Sequence, residues 1–413
     1  MRALTFLLLF SASVYAQKVP IDKLIEMAKA HSPELEQAVK DTLGADAIQK
    51  GTAVDGIGRD FIWAVSGTSQ PKLKIDYDDE IAAVTKVGAL WVYQGPVTTG
   101  VAHKFVWIVD GKPFGGKTDI PAYGPVSYPK PGVPEGKLTG PIVMESKIYP
   151  GMTANVWYYV PAQWDGNTPL PVQIWSDGQG YVRRMSKSRA LEVLDNLTEA
   201  KKIPLMVNVF IQPGQVGARP MRSPEYDTVS DTYGHYLLDE VLPELGKTVK
   251  MRQDAYSRSI IGQSSGGIAA FNAAYLMPDQ FSRAVSWIGS FAPLQVSPEH
   301  PVGGAEYPAR VRREPKRNIR VWLEDGSEDQ DVQFGSWPYA NLYMANSLKF
   351  KGYDYHFVYS VHTHDQAAGN AALPETLPWL WRDYDPAKTS QVFVQEPEEA
   401  AKPLWRAVTL NRN

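Results

Sequence analysis

The sequence contains no cysteine in its 413 residues. That absence excludes disulfide bonds, a thiolate nucleophile, iron–sulfur clusters and zinc sites with cysteine ligands. An excess of charge of one sign is also missing, because 42 Lys and Arg face 45 Asp and Glu, and the formal net charge is −3. A chain with a pI near 6.2 lacks the basic surface that phosphate backbones require, so nucleic acid is excluded as the main partner.

Long hydrophobic runs are missing as well. The apolar run of residues 4–10 is too short to span a bilayer, and no later stretch reaches the ~20 apolar residues that a spanning helix needs. Because the run follows Arg2 and leads to small residues at Val14 and Ala16, it is typical of a signal peptide, residues 1–16, cleaved before Gln17. We therefore expect an exported protein, periplasmic or secreted, with no membrane partner.

The residues that are present have the composition of a folded globular protein, with 44% hydrophobic and 21% charged residues. Residues 17–50 place apolar side chains at helical spacing, interrupted by Pro33, which predicts an arm of two short helices. Residues 51–141 contain short β-rich runs between Gly, Pro and Asp turns, which predicts an antiparallel sandwich of immunoglobulin type. Its residues 113–136 are dense in Pro and Gly and are expected to form a long ordered loop or a linker.

The pattern changes at residue 142. Up to residue 386, buried apolar strands alternate with helical segments, which predicts a mostly parallel sheet covered on both faces. Residues 387–413 are expected to form a polar tail. The predicted fold class is therefore α/β, with a small all-β sandwich before the larger domain.

A Gly-x-Ser-x-Gly pattern is centred on Ser264, between a predicted strand and a predicted helix. In that context the pattern predicts a nucleophile elbow, whose tight turn accepts only very small residues two positions before and two positions after the serine. The backbone N–H of Ser265, at the start of the helix, would face a developing oxyanion. A second oxyanion donor should follow an earlier strand, and the backbone N–H of Gln179 is the candidate.

Hydrolases with this elbow carry an acid and then a histidine later in the chain. His364 follows the predicted strand of residues 355–359 and is the preferred base, with His362 as the alternative. Among several acids after the strand of residues 321–323, Asp329 is the preferred acid and Asp325 the second choice. The acid would hold the tautomer of the imidazole and stabilise its protonated form.

Two other motifs are rejected. Residues 111–118 match a phosphate-binding loop, but Pro121 and Pro125 follow closely, so the helix that such a loop requires cannot form. Asp325, Ser327 and Asp329 have calcium-loop spacing, but the required glycine and terminal glutamate are missing. We expect no metal and no cofactor.

With Ser264, Asp329 and His364 placed, the chain resembles the esterase-D-like and enterochelin-esterase-like branch of the α/β-hydrolases, which includes carbohydrate esterase family one. The matching segments are residues 261–267, 325–329, 352–355 and 373–381. The resemblance covers about residues 145–385. The strands up to Asp110 are similar to the immunoglobulin-like module of these esterases, which is akin to carbohydrate-binding family 48.

The resemblance implies an α/β-hydrolase fold and hydrolysis of a carboxylic ester through an acyl-serine intermediate. It also implies feruloyl or acetyl esters of plant polysaccharides as substrates, with a siderophore ester as the alternative. A non-catalytic carbohydrate-binding protein on the same fold is a third possibility. Tyr181, Arg222 and Trp337 are candidate substrate contacts, and the N-terminal module could contact glycan.

Overall fold

The computed structural model describes residues 18–81, 84–184, 186–403 and 409–410. The chain divides into two compact units. The first comprises the described residues up to Val97 together with Phe105–Lys117, and the second comprises Thr98–Lys104 and the described residues from Thr118 onward. The predicted signal peptide lies outside the described residues. Within those residues, no helix has both the length and the apolar character needed to cross a bilayer.

Three helices open the first unit, where the sequence predicted two. The additional helix begins directly after Gly44, whose φ of +89° ends the preceding helix in a conformation that glycine adopts easily. Leu24, Ile25 and Val39 are buried in one apolar core with Ile62. The helices are α1 (Ile21–Lys29), α2 (Leu35–Leu43) and α3 (Ala45–Gln49).

Antiparallel strands follow, as expected for a small all-β region. They are β1 (Ala53–Ile57), β2 (Asp60–Ser66), β3 (Lys72–Ile75), β4 (Thr85–Val87), β5 (Leu90–Pro96), β6 (Val101–Val109) and β7 (Lys112–Ala122). One sheet has the order β1-β2-β5-β4 and the other the order β3-β6-β7. The turn end of the β6–β7 hairpin belongs to the first unit and its base to the second. The immunoglobulin type of this region stays a prediction.

Strand β7 corrects the expectation of a loop over residues 113–136. It contains Pro113 and Pro121, but it lies at the edge of its sheet, where a proline need not donate to a neighbouring strand. The rejected phosphate-loop pattern falls in this strand and the turn before it, not at the start of a helix.

The second unit is built on a large, mostly parallel sheet, and the predicted α/β class is confirmed. Its strands are β8 (Lys137–Glu145), β9 (Met152–Val160), β10 (Val172–Ser176), β11 (Val207–Ile211), β12 (Gln215–Val216), β13 (Arg219–Pro220), β14 (Arg258–Gln263), β15 (Arg283–Trp287), β16 (Arg320–Gly326), β19 (Asp354–Ser360) and β20 (Thr409–Leu410), with the small hairpin β17 (Asp331–Val332) and β18 (Gly335–Ser336) between β16 and β19. The order is β13-β12-β9-β11-β10-β14-β15-β16-β19-β20, with β8 beside β9. Strands from β11 to β20 along this order run parallel, and β9 is antiparallel to β11.

Apolar cores cover both faces of this sheet. Adjacent residues of one strand point to opposite faces, and accordingly Ile260 and Ile261 belong to different cores. The helices are α4 (Ala190–Glu199), α5 (Arg222–Tyr226), α6 (Thr232–His235), α7 (Leu242–Leu245), α8 (Ser265–Leu276), α9 (Tyr307–Arg313), α10 (Trp337–Phe350), α11 (Ala367–Leu380) and α12 (Pro397–Ala401). The parallel strands end at one edge of the sheet, where the loops after β14, β16 and β19 meet.

Candidate active site

Ser264 lies in the sharp turn between β14 and α8. Its backbone has φ +55° and ψ −122°, a strained conformation for a residue other than glycine. The glycines around it are required by close packing, because a Cβ atom at Gly262 would overlap the carbonyl oxygen of Gly266. The turn therefore directs the hydroxyl of Ser264 away from the sheet edge.

The structure brings Ser264, His364 and Asp329 together in one hydrogen-bonded chain. The Ser264 Oγ lies 2.7 Å from His364 Nε2, and His364 Nδ1 lies 2.6 Å from Asp329 Oδ1. With Nδ1–H donating to the carboxylate, Nε2 is free to accept the proton of the serine hydroxyl. The three residues come from the loops after β14, β16 and β19, so the sheet edge positions all of them.

Asp325, the second candidate acid, lies near the end of β16 and is fully buried. Burial, and then a hydrogen bond with Asp329, raises the pKa of Asp325 well above its usual range. Burial acts against ionisation of Asp329 too, but hydrogen bonds from His364 and Asp325 outweigh it and lower the pKa of Asp329. These pKa directions indicate a protonated Asp325 and an ionised Asp329, which carries the charge beside the imidazole.

His362, the alternative base, lies in a different environment. It is fully buried, its Nε2 forms an ion pair with buried Glu324, and its Nδ1 donates to the carbonyl oxygen of Thr363 over 2.8 Å. Burial lowers its basicity, but the attraction of Glu324 outweighs burial and raises the pKa of His362 to about 9. Both ring nitrogens are thus donors, and neither can accept the proton of Ser264.

Two backbone N–H groups are the predicted donors to an oxyanion. Ser265 is the first residue of α8, so its backbone N–H has no partner within the helix. The second donor was predicted in the loop after β10. Gln179 lies exposed in the short turn Gly178–Gly180, and its role as a backbone donor stays a prediction.

Arg222, predicted to contact substrate, has a different place. Its guanidinium donates two hydrogen bonds of 2.8 Å to the carboxylate of Asp177, at the start of that loop. Asp177 has φ +54°, and its N–H donates to the hydroxyl of Tyr226. Arg222 therefore fixes the loop and does not line the cleft at Ser264.

The two predicted aromatic contacts differ in outcome. The prediction for Tyr181 is wrong, because its side chain is 1% exposed and packs on Trp175 and Phe210 inside the sheet's core. Trp337, at the start of α10, does line the cleft beside Ser264. Its ring stands edge-on to His364, with centroids 5.7 Å apart.

Ser264 opens onto a cleft of about 770 Å³. The sequence did not identify most of its wall, which follows β15 and β16 in loops without a distinctive pattern. Ser290 is an example: its Oγ lies 3.3 Å from that of Ser264 and accepts a hydrogen bond from the Trp337 indole. The lining residues are Ser264, Ser290, Leu294, Gln330, Val332, Gln333, Phe334, Trp337 and His364.

Apart from the catalytic candidates the wall of this cleft is uncharged, and its apolar side chains outnumber the polar Ser290, Gln330 and Gln333. Among the described residues that line it, there is no Lys or Arg. Within the described ranges, no three His, Asp or Glu side chains are grouped so that they could hold a metal ion. The arrangement can therefore activate a hydroxyl beside a pocket for a neutral, apolar group.

Comparison with known proteins agrees with this geometry. The fold and the elbow are those of an α/β-hydrolase. The family model described as "Putative esterase" matches residues 149–380, more than half of the chain, and the chain belongs to this esterase family.

Similar proteins include iron(III) enterobactin esterase of Dickeya dadantii, 24% identical over 244 residues, which are 57% of this chain and 53% of that protein. The chain thus spans about half the length of this curated relative. The solved ferric enterobactin esterase of Salmonella typhimurium has a TM-score of 0.53 at 15% identity and covers 81% of this chain and 97% of its own. The enterobactin esterase of Shigella flexneri has a TM-score of 0.52 at 15% identity, covering 79% and 94%. These two structures show a shared fold.

Proposed function

We propose that the protein is an exported serine esterase that hydrolyses feruloyl or acetyl esters of plant polysaccharides. Ser264 is the nucleophile, His364 the general base and Asp329 the acid that orients it. The observation that carries the proposal is the hydrogen-bonded chain from Asp329 through His364 to Ser264, which opens onto an apolar cleft. The family to which the chain belongs supports ester hydrolysis.

The reaction follows from the positions of these atoms. His364 Nε2 accepts the hydroxyl proton as Ser264 Oγ attacks the ester carbonyl carbon. The carbonyl oxygen becomes an oxyanion, and the backbone N–H groups of Ser265 and Gln179 are the proposed donors to it. His364 then returns the proton to the leaving alcohol, and an acyl-serine ester remains. Water attacks this ester by the same steps, releasing the acid and restoring the serine.

The wall of the cleft favours a neutral, flat acyl group. Leu294, Phe334 and Trp337 can pack against the ring of a hydroxycinnamoyl group. The glutamines at 330 and 333 offer hydrogen bonds to phenolic or sugar hydroxyls. Glycan contact through the N-terminal β region belongs to the same proposal and awaits its own binding measurement.

A siderophore esterase is the second candidate, because the similar proteins named above are enterobactin esterases. A ferric triscatecholate is strongly anionic and requires cationic side chains in its site. The described lining residues of the cleft at Ser264 include no such side chain. We therefore rank this substrate second.

The test compares purified wild type with Ser264→Ala on methyl ferulate, acetylated xylan, p-nitrophenyl acetate and enterobactin. Ser66→Ala is the matched control, because Ser66 is an exposed serine at the end of β2 and does not line the cleft. We expect wild type and Ser66→Ala to hydrolyse methyl ferulate or acetylated xylan, and Ser264→Ala to lose at least about 10³-fold in kcat.

The outcomes separate the candidates. Faster hydrolysis of enterobactin than of any other ester would establish the siderophore function instead. No hydrolysis by wild type would leave a non-catalytic carbohydrate-binding protein, to be checked by binding to xylan. Export is tested by the mass of the mature protein, expected to begin at Gln17.

A further inference from the structure

The loop between β19 and α11 carries His364, and its position depends on a residue far away in sequence. The backbone N–H of Thr363 donates to Asp119 Oδ1 over 2.9 Å, and the Thr363 hydroxyl donates to Asp119 Oδ2 over 2.5 Å. Both carboxylate oxygens of Asp119 thus accept hydrogen bonds from Thr363, the residue directly before His364. Such charge-assisted bonds are stronger than those between neutral groups.

Asp119 lies near the end of β7 in an unusual conformation. Its φ is +55°, a left-handed value that costs energy for most residues and that Asp tolerates better than bulkier side chains. A residue is held in such a conformation only where its surroundings require it. In this conformation the side chain of Asp119 accepts the two hydrogen bonds from Thr363.

The base of the β6–β7 hairpin contacts both the loop that carries Asp329 and the segment after the loop that carries His364. From β6, Lys104 forms an ion pair with Glu328, the residue directly before Asp329. Ala102 packs against Ala367 and Ala368, where α11 begins. All these residues lie within the second compact unit. The acid loop and the base loop are therefore both held by strands that precede the hydrolase sheet in sequence.

We propose that Asp119 is a positioning residue for His364. In this proposal the base of the β6–β7 hairpin holds the loops of the ester-hydrolysing site in place. The inference rests on the proposed function of Ser264, His364 and Asp329. Thr363 directly precedes His364 in the chain. Loss of the two hydrogen bonds from Thr363 to Asp119 would therefore displace the imidazole from Ser264 and Asp329. A displacement of about 1 Å can cost roughly 10²-fold in rate.

The test uses Asp119→Ala, Asp119→Asn and the control Asp110→Ala in the full chain. Asp110 has φ +50° at the turn of the same hairpin, so its substitution imposes the same backbone change away from the loops. On p-nitrophenyl acetate we expect Asp119→Ala to lower kcat about 10- to 100-fold with KM within twofold. Asp119→Asn keeps one acceptor and should lose less, and Asp110→Ala should match wild type.

A second measurement does not depend on turnover. The proton on His364 Nδ1, bonded to Asp329, should give a far-downfield NMR signal, assigned by its loss in His364→Ala. We expect the signal to weaken or vanish in Asp119→Ala and to persist in Asp110→Ala. Unchanged kcat and an unchanged signal in Asp119→Ala would overturn the inference, as would equal losses in both alanine variants. If wild type hydrolyses no ester, the proposed function fails, and the NMR comparison still decides the role of Asp119.

Discussion

Two buried carboxyl groups lie at the end of β16, Asp325 within the strand and Asp329 just after it. The residues around them decide which one carries the negative charge. Asp329 contacts the His364 Nδ1 and accepts the backbone N–H of Gln330 over 2.5 Å, so its ionised form is stabilised. Asp325 accepts from the N–H of Gly326, and burial holds its pKa well above the usual range. A proton on Asp325 removes the repulsion that two neighbouring carboxylates would have.

This arrangement predicts different results for two matched substitutions. Asp329→Asn removes the charge that orients the imidazole, and we expect kcat for p-nitrophenyl acetate to fall by about 10³- to 10⁴-fold. Asp325→Asn keeps a donor toward Asp329, because an amide N–H can replace the carboxyl proton, and we expect a loss below tenfold. A larger loss for Asp325→Asn than for Asp329→Asn would reverse the assignment of the acid.

At the residue scale, the order of the chain predicted Ser264, Asp329 and His364, since each follows a strand with its own local pattern, and the structure brings these three side chains together. The cleft wall could not be predicted, because Ser290, Leu294 and Phe334 lie in loops whose sequence resembles many others. The error at Tyr181 has the same origin. An aromatic residue near a strand end can face the core or the cleft, and sequence alone does not distinguish the two.

At the scale of elements, strand β16 and the loop after β19 are joined beneath the site by Glu324 and His362. The carbonyl oxygen of His362 also accepts the backbone N–H of Glu328. A buried ion pair thus connects the strand that carries the acid with the loop that carries the base. Removing one partner of such a pair leaves a buried charge without compensation.

We therefore expect Glu324→Gln to lower the free energy of unfolding by about 3–5 kcal/mol. The double variant Glu324→Gln with His362→Gln replaces the pair with two neutral amides, and it should be more stable than the sum of the single changes predicts. Urea unfolding of the wild type, both single variants and the double variant measures this coupling. Strict additivity would show that the pair does not act as a unit.

The elements themselves were predicted unevenly, for physical reasons. The helix that the Gly-x-Ser-x-Gly pattern predicted after Ser264 forms as α8, Ser265–Leu276, and is buried along most of its length. Between α6 and α7 the chain forms the π-helix Tyr236–Val241, two residues before Pro243, which lacks an N–H to donate. Strand β7 was missed because prolines and glycines are ordinary in loops, and an edge strand tolerates them too.

At the scale of the whole molecule, several buried groups, Asp325, Glu225 and His362 among them, hold more protons in the folded state than in the unfolded state. Burial raises the pKa of Glu225 to about 8, and its one satisfied oxygen accepts the N–H of Gly214. The pKa of His362 is raised to about 9. A raised folded-state pKa stabilises the protein fully below the unfolded-state pKa, and this contribution is lost as the pH rises through the folded-state value.

The sign of the pH dependence follows. The contribution of Glu225 declines from about pH 4.3 to 8, and that of His362 from about pH 6.5 to 9, each by about 1.4 kcal/mol per pH unit. The lowered pKa of Asp329 adds no slope in this range, because the group is ionised in both states. We therefore expect the melting temperature to fall steadily from pH 6 to 9, as measured by circular dichroism. Glu225→Gln should make the fall shallower below pH 8 and leave the fall between pH 8 and 9, whereas Glu324→Gln should reduce the fall above pH 8. A wild-type melting temperature that is constant across this range would contradict the buried protonation of both groups.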